Sequence, residues 1–147
     1  QRSLPEIYGD ERLRDAVQLR TQTYATMLFL NEGDRFSQQP IPMEAQVSTV
    51  KAIGCQDLDH DGLPDLVLAG NRMGFHVSFT RQDAGRGLVL LNQGAGQFKT
   101  LNFSESGLSV RGEINDLLML AGQGTSTILF ATKEGPFPAF EVVGKVP

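Results

Sequence analysis

The sequence predicts an all-β fold with a short N-terminal helix, and three observations carry that prediction. Short apolar runs recur along the chain, each closed by turn residues. Sixteen glycines and seven prolines punctuate the 147 residues. A hairpin-like pattern also returns after about sixty residues.

The elements follow in order. Asp10 is placed to cap a helix with Leu13, Ala16, Val17 and Tyr24 on one face. Residues 1–21 therefore read as a helical or linker segment, and 22–147 as the β domain. Strands are expected at residues 25–30, 36–39, 47–53, 65–68, 75–79, 87–91, 98–102, 114–120, 127–131 and 140–143.

The repeat organises these strands. Leu28-Phe29-Leu30-Asn31-Glu32-Gly33 and the following Phe36 resemble Leu90-Leu91-Asn92-Gln93-Gly94 and Phe98. Both read as a strand, an Asn-x-Gly turn and a Phe that opens the next strand. The stretch Ala52–Leu58 aligns loosely with 111–117, where most of the acids are gone but an apolar strand persists. A third, weaker hairpin joins 127–131 to 139–143. Short strands in a sixty-residue repeat argue for two to three antiparallel blades of a β-propeller or a related array. So few blades form a partial propeller, with strand edges left open.

The most specific feature lies between two expected strands. Asp57-Leu58-Asp59-His60-Asp61-Gly62-Leu63-Pro64-Asp65 alternates carboxylates over nine positions and runs into Leu66-Val67-Leu68. Calcium takes about six to eight oxygen ligands, and alternate side chains of a tight loop converge on one point. Asp57, Asp59 and Asp61 would supply carboxylates and Leu63 a backbone carbonyl. Asp65 would close the shell, directly or through water. Gly62 supplies the left-handed backbone of the turn. A solvated acidic turn is the alternative, because Asp and Gly are common turn residues. An EF-hand is excluded: the twelfth residue from Asp57 is Leu68, and a strand rather than a helix follows.

Composition narrows the classes. A net charge of −4 with scattered Lys and Arg gives no footprint for nucleic acid. No apolar run is long enough to span a bilayer as a helix. The chain opens on Gln1 and shows no signal peptide, as expected of a mature or trimmed chain. The single cysteine, Cys55, reads as a small buried hydrophobe rather than a reactive thiol. Gly85-Arg86-Gly87 and Gly94-Ala95-Gly96 read as turns, since neither continues into a Lys-Ser/Thr pair. Ser104-Glu105-Ser106-Gly107 lacks a nucleophile elbow. His60 is expected to face water from within the acidic loop. His76 reads as a strand residue, and neither has a nucleophile partner in sequence. Asp83 and Arg86 are read as a turn salt bridge in preference to a ligand pair.

With these residues in view, the chain resembles the FG-GAP/VCBS repeats of integrin-like β-propellers. The resemblance rests on Asp57 to Asp65 with its following strand, and on the Asn92 to Phe98 hairpin. It spans about residues 22 to 143; Leu4-Pro5, Pro42–Gln46, Leu68–Asn71 and Arg81–Gly87 further resemble the C-terminal blades of secreted bacterial VCBS-repeat proteins. It implies calcium that stiffens a blade, an extracellular or cell-surface location, and a role in binding a protein or glycan. Open strand edges and uncovered blade faces point to the excised end of a longer propeller, whose remaining blades are then the partners, to self-association, or to a compact β-sandwich-like unit.

Two function classes result. The first is a calcium-stabilised binding module without catalysis. The second is an accessory or catalytic domain of a secreted carbohydrate-active hydrolase. The second needs a convergent carboxylate pair outside the loop, and Glu105, Glu113 and Asp116 are the only nearby acids for it.

Overall fold

A computed structural model describes residues 2–17, 19–74, 80–122 and 125–143. The described chain is mostly β, in three antiparallel sheets, none of which closes into a barrel. Two short helices come first, α1 (Leu4–Tyr8) and α2 (Asp10–Leu13). Strands β1 (Met27–Asn31) and β2 (Phe36–Pro40) form a hairpin. A 3-10 turn at Met43–Gln46 leads to β3 (Val50–Gln56), β4 (Asp65–Gly70), β5 (Leu88–Asn92) and β6 (Phe98–Leu101). These four pair in chain order, as a meander. After helix α3 (Phe103–Ser106), β7 (Ile114–Ala121), β8 (Ser126–Thr132) and β9 (Ala139–Val142) make the third sheet, again in chain order. The expected strand at 75–79, with His76, lies outside the described residues.

The central strands β4 and β5 are apolar on both faces, and this explains their unbroken apolar runs. Val67, Ala69, Val89, Leu91 and Leu101 face the third sheet, where Ile114, Ile128 and Phe130 meet them. Phe130 is fully buried and takes Phe140 edge-on, with ring centroids 5.8 Å apart. Gly54 lets β7 come close: a Cβ there would stand 2.6 Å from both Leu117 Cδ1 and Met119 Sδ. On the opposite face Leu68 and Leu90 pack with Ala45 of the 3-10 turn, and Ile41, Val50, Leu66, Leu88 and Phe98 close around them.

Both Asn-x-Gly hairpins form. Asn31 Oδ1 accepts from Gly33 N–H and Asn92 Oδ1 from Gly94 N–H, each at 2.9 Å. In each hairpin the asparagine pairs with the phenylalanine that opens the next strand, Asn31 with Phe36 and Asn92 with Phe98. The third hairpin, β8 with β9, forms as well.

Three local expectations are corrected. Asp10 lies inside α2 and does not cap it, because Gly9 already occupies the cap between two short helices. Neither helix buries a residue, and Val17 and Tyr24 are exposed. Cys55 is exposed. It shares the outward face of β3 with Lys51 and Ile53, while Ala52 and Gly54 point into the core. Alternation along the strand decides its burial, and its apolar character does not. Helix α3 was not expected. Its start is fixed by Asn102, whose Oδ1 accepts from Ser104 and Glu105 N–H, while Glu105 accepts from Asn102 N–H.

Candidate metal centre

The acidic loop connects β3 to β4, and both strands hold its ends. Leu58 turns inward and is buried in the core between the sheets. Its neighbours Asp57 and Asp59 therefore turn outward, which is why acids and apolar residue alternate here. His60 and Gly62 both take positive φ, 63° and 90°, and bend the chain back on itself.

That bend brings three carboxylates together. One oxygen each from Asp57, Asp59 and Asp61 lies within 4.8 Å of the others. Backbone donors order them. Asp61 N–H reaches Asp57 Oδ1 at 3.2 Å and Asp59 Oδ1 at 3.1 Å. Gly62 N–H reaches Asp57 Oδ2 at 3.0 Å, and Leu63 N–H reaches Asp61 Oδ1 at 2.7 Å. The cluster is half-buried at Asp57 and Asp59 and exposed at Asp61. Such a set of hard oxygen donors could hold a metal ion.

The structure places Asp65 apart from this cluster. Its side chain is fully buried at the start of β4. Oδ2 accepts from Leu58 N–H and Oδ1 from Asn92 N–H, both at 2.8 Å. A buried carboxylate must be matched by donors, and here they are two backbone amides, one within the loop and one at the end of β5. Asp65 thus fastens the loop to the β5–β6 hairpin.

The other candidate acids each have a local partner. Glu113 sits between the two sheets and takes Lys51 Nζ of β3 at 2.5 Å, Lys133 Nζ at 3.6 Å and Met73 N–H at 3.2 Å. The hydrogen bond from Lys51 is the main cause that lowers its carboxyl to about 2, followed by the Met73 N–H. Glu105 closes the cap of α3. Asp116 accepts from Leu117 N–H at 2.8 Å. No two of the three converge on one another through a shared contact among the described residues. Asp83 and Arg86 form no ion pair there either. His60 is exposed.

Asn71 was missed in the sequence. It is buried with φ of 78° at the end of β4. Its amide donates to Gly85 O and Gly112 O, both at 2.8 Å. Its oxygen accepts from Ser48 Oγ at 2.7 Å and Gly85 N–H at 2.9 Å. Four satisfied bonds make it a structural knot joining three loops. The available signal was an Asn directly after an apolar strand, since Asn tolerates a left-handed backbone.

No family model matches the chain, and neither a curated protein nor a solved structure matches it significantly.

Proposed function

We propose that this chain is a calcium-stabilised binding module built of propeller-type blades, in which the ion serves structure rather than catalysis. One observation carries the reading: Asp57, Asp59 and Asp61 converge on one point, in a loop whose backbone turns to bring them there. Calcium fits this donor set because it is a hard cation that accepts carboxylates, carbonyls and water in flexible geometry. The three carboxylates, the Leu63 carbonyl and water make up the shell. Asp65 acts behind it as a positioning residue.

The blade reading draws support from the four-strand meander β3 to β6 and from the two hairpins with the same Asn turn. Packing of β3 against β7 at Gly54 is the kind of close face-to-face contact that stacked blades need. A half-open site with few charged ligands belongs to the weak end of calcium affinities, about 10⁻⁴–10⁻³ M, which suits modules working outside the cell. A protein or a glycan is the partner class that goes with such a module.

Calcium that binds only the folded chain raises its stability by mass action. At ten times its dissociation constant the gain is about 1.4 kcal/mol, or roughly 3–6 °C in Tm for a chain of this size. Thermal melts with calcium and with EDTA test this. Calcium should raise Tm, and Asp59→Ala should remove the rise while leaving a cooperative transition. Identical melts in calcium and EDTA would refute the metal role.

A further inference from the structure

The third sheet stops one strand short of the second. In the second sheet β6 covers the outer edge of β5, whereas among the described residues β9 pairs with β8 alone. Among the described residues no further strand covers the outer edge of β9, and such an edge presents N–H and C=O groups for pairing. A cleft of about 300 Å³ lies beside it, lined by Leu58, Leu101, Leu108, Ile128, Phe140 and Val142. Two exposed carboxylates, Glu105 and Glu141, border the same cleft.

We propose that the edge of β9 is a strand-addition site for an extended basic peptide in which apolar residues alternate with Lys or Arg. The edge selects the conformation, because only an extended strand offers backbone groups at matching spacing. The cleft selects every second side chain, since alternate residues of an added strand fall on one face. Its lining is mostly aliphatic with one aromatic, so those side chains are apolar. Glu141 alternates with Phe140 and Val142 and so lies on the other face of β9, where, on a chain of net charge −4, it selects cations for the intervening positions. The fold already shows the result of such an addition. β6 lies along β5 in antiparallel register, with Leu101 fully inside the core shared by the two sheets. The proposal rests on the reading of the chain as a binding module, but on none of the three clustered aspartates.

The test uses the whole chain in calcium and an end-blocked, fluorescein-labelled peptide alternating valine with lysine, followed by anisotropy. Saturable binding is expected, with slowed amide exchange at Ala139–Val142. Methylating alternate peptide amides should weaken binding by about tenfold or more, because the backbone bonds are lost. Glu141→Lys, a change at an exposed position, should weaken binding of the lysine peptide and favour a valine–glutamate peptide instead. Absence of saturable binding, affinity unmoved by amide methylation, or protection confined to other strands would each overturn the site. Melting of the same sample keeps the two proposals apart. A chain that gains stability from calcium yet ignores the peptide refutes the edge site and leaves the metal reading standing.

Discussion

Asp65 and Asn92 are locked together across the root of the acidic loop. Asn92 N–H donates to Asp65 Oδ1 at 2.8 Å, and the Asn92 side-chain amide donates to the carbonyl of the preceding Pro64 at 2.9 Å. Asn92 is also the residue that shapes the β5–β6 turn. One asparagine thus ties the end of the loop to a hairpin 27 positions further along the chain.

Removing Asp65 should cost stability even without any metal. Asp65→Ala strands the buried N–H of Leu58 and the half-buried N–H of Asn92, at roughly 1–3 kcal/mol for the buried donor and less for the other. Urea denaturation in EDTA should show a lower midpoint with an unchanged slope. Asp59→Ala in the same buffer should change the midpoint far less, because Asp59 bonds only within the loop.

Glu113 should leave a mark on acid stability. Its carboxyl falls from 4.5 in the unfolded chain to about 2 in the folded one, chiefly through Lys51. The unfolded state therefore binds more protons between these values, and stability rises with pH across that window. The contribution is complete above the unfolded value and is lost as pH falls towards about 2. Glu113→Gln should flatten this part of the stability–pH curve, as read by urea midpoints at a series of acidic pH values.

The contact between β3 and β7 should resist enlargement. Gly54→Val would drive a side chain into Leu117 and Met119, where a Cβ alone already stands 2.6 Å away. Overpacking of this kind costs typically 1–3 kcal/mol. Gly62→Ala meets no atom within 4 Å and is strained only through its φ of 90°. Comparing the two by thermal melt separates loss of sheet packing from loss of turn geometry.

Much of the β architecture was legible because its signals are local. Short unbroken apolar runs marked β4, β5 and β8, and Asn31 and Asn92 announced their hairpins. Asp57, Asp59 and Asp61 were legible as a group for the same reason: neighbours in sequence are neighbours in the loop. The hydrogen bond from Asn92 to Asp65 was not, because Asn92 arrives from a different hairpin. The exposure of Cys55 was hidden too, since an apolar stretch does not say which of its two faces meets the core. Asn71 depended on Ser48, Gly85 and Gly112, three loops that only the fold brings together.

Calorimetric titration of calcium into the metal-free chain is the most direct measurement of the central claim. One saturable site is expected in the wild-type chain, abolished when Asp59 is replaced by alanine. A flat titration up to several millimolar calcium, with the chain folded throughout, would contradict it.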